Sequence, residues 1–157
     1  ADMTEIVEPS HAPIAITEGE WSGWSTWKSD AFEQTAGPFY EKQDNNGEWI
    51  WAFVAEQRHM NGAGFMHGGC LMTFADAALF TIARNEMRDS YGVTMNLAGD
   101  FLAAGKVGQR IEGRGEVTRG GGKTVFVRGI VTGEGTPLLS FSGITRKTGK
   151  RADRIGD

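Results

Sequence analysis

The chain has 157 residues, 39% of them hydrophobic and 23% charged, which predicts one domain with a core large enough to need no covalent staples. Its net charge of −4 argues against non-specific nucleic-acid binding, which needs clustered positive charge, without excluding an anionic ligand on a local basic patch. Residues 1–18 carry Pro9 and Pro13 among small residues with no periodicity, and so read as a flexible N-terminal arm. A helix is expected over residues 18–34. Thr17 can cap it, Glu20 follows three residues later, and Trp21, Trp24, Trp27 and Ala31 recur at helical spacing. The tryptophan stripe reads as packing before it reads as a binding box. Gly37-Pro38 then breaks the chain.

Asp44-Asn45-Asn46-Gly47 is a turn signal, and residues 48–56 are rich in strand formers. Residues 58–69 form a glycine-bearing loop into a helix expected from about Gly69 to Arg88. Its first part is apolar nearly all round, so the helix should be buried. Strands are expected over residues 93–102, 110–118, 123–132 and 138–145. Ile111, Gly113, Gly115 and Val117 share one face of the second, and glycine-rich turns join the later three. Residues 147–157 are charged and read as a frayed tail, which leaves one domain over residues 19–146. No helices separate the later strands, so the expected fold is α+β: a curved antiparallel sheet wrapped around one long central helix.

The segment with most chemistry runs from Asn61 through His67-Gly68-Gly69 to Asp76. Exposed amides at a helix N-terminus stabilise developing negative charge, and a carboxylate on the same helix can activate water or attack directly. Asp76 lies roughly 10 Å along the axis from that N-terminus, among Met72, Thr73, Leu79, Phe80 and Ala83. A carboxylate in such company needs a polar partner, a wet pocket or a raised pKa. The bland alternative is a buried Asp bonded to backbone or a nearby Thr, with the glycines serving only a tight entry into the helix.

Cys70, the single cysteine, excludes an intrachain disulfide, fits a reducing compartment and reads as a small core residue rather than a nucleophile. The histidines and Cys70 lack zinc-ligand spacing, so no metal site is expected. Gly120-Gly121-Gly122 is no phosphate loop, because no helix follows it. No apolar run approaches the roughly 20 residues that span a membrane, and the N-terminus lacks the order of a secretory signal. A cytoplasmic location is expected, with neither membrane nor nucleic acid as partner.

Asn61, His67-Gly68-Gly69 and Asp76, with the strand order after the helix and Gly92-Val93-Thr94, resemble the active-site signature of the hot-dog-fold acyl-CoA thioesterases, in particular the PaaI-like (phenylacetic acid degradation) group. The resemblance runs from about Phe39 to Thr145. It implies a thioesterase acting on an acyl- or aryl-CoA, with coenzyme A as part of the substrate and no separate cofactor. It also implies a division of labour. Asp76 would be general base or nucleophile, and the Gly68 N–H, with that of Gly69, would polarise the carbonyl oxygen. Asn61 would position water or substrate, His67 would orient the loop or bond near the thioester, and Thr94 would stand near the attacking water. His67 also reads as an ordinary structural histidine.

Spacing adds an inference of its own. Two helical turns separate the amides from Asp76, too far to grip one carbonyl within one chain. A homodimer with antiparallel helices and shared sites would bring them together, and the resemblance implies the same dimer, often paired again into a tetramer. Two rival readings remain: an acyl-CoA hydratase or dehydratase, and a non-catalytic acyl-CoA-binding module. Trp21, Trp24, Trp27, Phe65, Phe74 and Phe80 either line an aryl pocket or fill the core. Arg119, Lys123, Arg128 and Arg146 either meet coenzyme A phosphates or are simply solvated.

Overall fold

The computed structural model describes residues 12–150. Most of the expected arm (residues 1–11) and tail (residues 151–157) lies outside the described residues. In chain order the elements are β1 (Ile14–Ala15), β2 (Ser25–Thr26), α1 (Ala31–Ala36), β3 (Tyr40–Gln43), β4 (Trp49–Val54), α2 (Gly68–Ile82), α3 (Arg84–Met87), β5 (Ser90–Phe101), β6 (Arg110–Arg119), β7 (Thr124–Gly133) and β8 (Thr136–Lys150). The strands form one antiparallel sheet in the order β1-β2-β3-β4-β6-β7-β8-β5. The sheet wraps around α2, which touches β4, β5, β6, β7 and β8. This is the α+β architecture expected from the strand pattern.

Burial of α2 sets the arrangement. Leu71, Phe74, Ala75, Ala78 and Leu79 are each 2% exposed or less, and each large side chain so buried contributes roughly 1.5–3 kcal/mol. Two strand glycines let the helix come this close. A Cβ at Gly143 would lie 2.5 Å from Leu79 Cδ1, and one at Gly113 would lie 3.1 Å from Phe74 Cε1. The predicted alternation of β6 holds, with Ile111 and Gly113 turned to the helix. β4 is buried on both faces. Trp51 and Phe53 belong to the main core under α2, while Ile50 and Ala52 pack with Trp24 on the other side.

The N-terminal region departs from the helix expected over residues 18–34. Only Ala31–Ala36 is helical. Gly19 and Gly23 adopt φ of +78° and +86°, a left-handed conformation that an α-helix cannot contain, and tight turns close on Gly19 and Trp21. Of the tryptophans that mimic a helical stripe, Trp21 sits on a turn, and Trp24 and Trp27 flank the short strand β2. Trp24 is buried, and Trp21 stacks on Tyr40 with ring centroids 4.1 Å apart, so these two do serve packing. The pairing of Ile14–Ala15 with Ser25–Thr26 extends the sheet into the expected arm, and β8 continues it past residue 146. The central helix is also shorter than the expected span from Gly69 to Arg88. It ends at Ile82, and α3 stops at Arg88, whose φ of 49° lies outside helical space. No helix among the described residues is long and apolar enough to cross a membrane.

Candidate active site

The loop into α2 is held by its own polar groups. Asn61 Oδ1 accepts the N–H groups of Ala63 (2.9 Å) and Phe65 (3.2 Å), and the Asn61 N–H donates to the Phe65 carbonyl at 2.7 Å. Asn61 therefore shapes the loop that precedes the helix. His67 is the N-cap of α2: its Nδ1 accepts the Gly69 N–H at 2.9 Å, and its carbonyl accepts from Cys70 and Leu71. The His67 N–H is anchored on the His59 carbonyl. His59 is itself buried. Its Nδ1 accepts the Glu56 N–H, and its Nε2 bonds the Ala36 carbonyl at 2.7 Å, tying loop to α1.

This geometry separates the two expected amide donors. The Gly69 N–H is committed to His67, whereas the Gly68 N–H, at the first position of the helix, has no partner among the described residues. Gly68 lies under the ring of Phe101, whose Cζ would be 3.1 Å from a Cβ placed there.

Asp76 sits eight residues beyond Gly68, about 12 Å along the helix. The Thr94 hydroxyl of β5 donates to Asp76 Oδ1 at 2.6 Å, and Oδ2 has no partner among the described residues. The sequence-adjacent hydroxyl, Thr73, bonds back to the Gly69 carbonyl instead. The structure thus sorts the six candidate residues into two groups. Asn61, His67, Gly68 and Gly69 meet at the helix entrance, while Asp76 and Thr94 meet two turns along.

Asp76 opens onto a cavity of about 370 Å³, whose walls include Trp27, Trp51, Phe80, Glu33 and Arg84. Of the aromatic residues with two readings, Trp27 and Phe80 line this space, Phe74 fills the core, and Phe65 is exposed. Arg84 is fixed by a 2.5 Å ion pair with the buried Glu41, whose carboxylate also accepts the Thr81 hydroxyl, and by the rings of Trp49 and Trp27. Burial, then the nearby charges of Asp30, Asp76 and Glu41, push the Glu33 carboxyl up to about 8. Sequence reasoning missed Glu33 and Trp51, because neither lies in a local pattern that sets it apart from a solvated or a core residue.

Cys70 is partly buried, and burial pushes its thiol up to about 11, so it remains a protonated small core residue rather than a nucleophile. The Gly120–Gly122 turn is tied to α3 through the Gly121 N–H and Glu86. Arg128 pairs with Glu116. Among the described residues no group of three or more His, Cys, Asp or Glu side chains could hold a metal ion.

Comparison with known proteins bears on the fold and the family. The thioesterase superfamily model matches residues 63–140, a span that includes His67, Gly68, Gly69, Asp76 and Thr94 but begins after Asn61. A Pseudomonas aeruginosa protein provisionally named an esterase is 28% identical over 75% of this chain and 89% of its own length. A hypothetical thioesterase of Streptococcus pneumoniae TIGR4, solved with coenzyme A, is similar with a TM-score of 0.63 and 23% identity, over 72% of this chain and 88% of that one. The PaaI protein of the E. coli phenylacetic acid degradation operon is similar with a TM-score of 0.67 and 20% identity, over 77% and 86%. At these identities the two structural likenesses speak for the fold, and the family match carries the lineage. The resemblance read from Asn61, His67-Gly68-Gly69 and Asp76 is borne out: the thioesterase superfamily model matches residues 63–140 of the chain, which has the hot-dog fold.

Proposed function

We propose that this protein is an acyl-CoA thioesterase that hydrolyses an acyl- or aryl-CoA to the free acid and coenzyme A. The observation that carries the proposal is the 2.6 Å bond from Thr94 to Asp76 Oδ1 at the wall of the cavity. It fixes one carboxylate oxygen and leaves the other free to accept a proton from water. Water then adds to the thioester carbon as Asp76 takes its proton. The oxyanion that forms faces the Gly68 N–H, reinforced by the helix dipole. Collapse breaks the C–S bond, and the coenzyme A thiolate leaves and is protonated. Direct attack by Asp76, followed by hydrolysis of the resulting anhydride, uses the same atoms. Coenzyme A enters as part of the substrate, in keeping with the neighbour solved with coenzyme A.

The roughly 12 Å between Gly68 and Asp76 favours a site shared between two copies of the chain. The position of β5 at the edge of the sheet, among the described residues, supports that arrangement. This long edge strand bears the exposed apolar residues Val93, Met95 and Phe101, with Leu102 just beyond. Such an edge invites pairing with another strand. Two-fold pairing there would carry one copy's Gly68 toward the other's Asp76 and make two equal sites.

The test is thiol release from a panel of acyl- and aryl-CoA substrates, wild type beside Asp76→Asn. The expected result is turnover by wild type that falls about a hundredfold or more in the variant, the upper scale for loss of a general base. Saturable binding without release from either protein would sink the proposal in favour of a binding module. Hydration of an enoyl-CoA with the thioester left intact would favour a hydratase.

A further inference from the structure

The cavity beside Asp76 holds a second carboxyl that the proposed hydrolysis does not use. Glu33 reaches it from α1, a helix that precedes the span matched by the family model. The Glu33 backbone is well bonded, its N–H to Asp30 Oδ1 and its carbonyl to the Gly37 N–H. Its carboxyl oxygens, in contrast, meet no hydrogen-bond donor and no cation among the described residues. Trp51, 1% exposed on the same wall, has an indole Nε1 that is likewise unbonded, so this donor does not stabilise an ionised Glu33.

The charges around Glu33 make its ionisation costly. Asp30 caps its own helix, Asp76 faces it from α2, and Glu41 from β3. Of the cations, Arg84 on α3 is held on Glu41, and Arg88 just past α3 is exposed at the rim. Arg58 and His59 bond carbonyls at the far end of α1. Tyr91 of β5 completes the wall. An ionised Glu33 would therefore place an unneutralised charge against whatever acyl group fills the aromatic part of the cavity.

We propose that Glu33 is a specificity-determining residue of the acyl pocket: protonated, it lets the pocket receive an uncharged acyl group, and ionised, it disfavours one and favours a cationic one. This rests on the thioesterase reading and adds a selectivity that depends on pH. With its carboxyl pushed up to about 8, Glu33 is mostly protonated at pH 7 and acquires its charge as pH rises through that value.

The experiment measures the ratio of kcat/KM for hexanoyl-CoA to that for ω-aminohexanoyl-CoA. It is run between about pH 7 and pH 9, where the ammonium group stays charged. Both members of the pair share coenzyme A and the same thioester, so the ratio cancels titrations elsewhere, including any at Asp76. In wild type the ratio should fall about tenfold or more across this range. In Glu33→Gln it should stay constant within about twofold. A ratio independent of pH in wild type overturns the proposal without need of a variant, and so does a Glu33→Gln ratio that follows wild type. Absence of thiol release from every acyl-CoA overturns both this and the hydrolase reading, an outcome plainly distinct from turnover with a flat ratio.

Discussion

At the entrance of α2 the group proposed for the chemistry is backbone, and two turns along it is a side chain; the two places are built by different means. The entrance is satisfied locally. Asn61 Oδ1 and His67 Nδ1 are spent on the loop and on the Gly69 amide, and the Gly68 N–H has no partner among the described residues. The Asp76 site is satisfied from a distance, by a hydroxyl 18 residues away on β5 and by cavity walls drawn from α1, β4 and α3. The difference teaches where each part is vulnerable. The entrance depends on the shape of one short segment, whereas the Asp76 site depends on how α2 is seated in the sheet.

The sharpest way to break this comparison is Gly68→Pro. Proline is accommodated at the first helical position, and His67 already has the extended backbone (φ −63°, ψ 132°) that a following proline requires. The substitution therefore removes the N–H while leaving the helix, although the ring of Phe101 must yield slightly. Loss of one oxyanion donor should lower kcat by about a hundredfold to a thousandfold. Mixing this variant with Asp76→Asn, after unfolding and refolding together, then asks whether the two places serve one site across two chains. A shared two-fold site should restore about a quarter of wild-type activity, because half the dimers are mixed and each has one intact site. Sites confined to single chains would show no recovery.

A smaller effect is expected at Thr94. Thr94→Val keeps the shape of the side chain and removes the donor to Asp76, and should cost about tenfold in kcat, on the scale of one charge-assisted hydrogen bond. Thr94→Ser should recover most of it. Equal activity in the valine variant would separate Thr94 from the chemistry. The smallest effect on rate belongs to His67→Ala, read here as loss of a cap. Thermal or denaturant unfolding should show about 1 kcal/mol lost, with kcat within a fewfold of wild type. A hundredfold fall in kcat at unchanged stability would instead make His67 a direct participant.

The parts of the molecule differed in how far they could be read in advance. β6, β7 and β8 were legible because alternation and glycine turns are local signals, and the buried helix because its apolar residues run all round it. The signature residues were legible because they lie within one contiguous stretch. Residues 18–34 misled for the opposite reason. Tryptophans three apart satisfy a helical period, but Gly19 and Gly23 adopt left-handed backbone there, and the indoles pack against the sheet rather than along a helix.

By itself the sequence determined an antiparallel sheet about a buried helix, a polar glycine entrance to that helix, and one carboxylate within it. Hydrophobic period, turn chemistry and capping are properties of neighbours in the chain, so these needed nothing more. Only the tertiary structure decided that Asp76 takes its hydroxyl partner from Thr94 rather than Thr73, that the Gly69 amide is spent on His67, and that Glu33 and Trp51 face the same cavity. The two pairings turn on side-chain direction, and the cavity joins α1, β4 and α2, elements far apart in sequence. Contacts of that kind are set by the packing of the whole core, which no local period encodes.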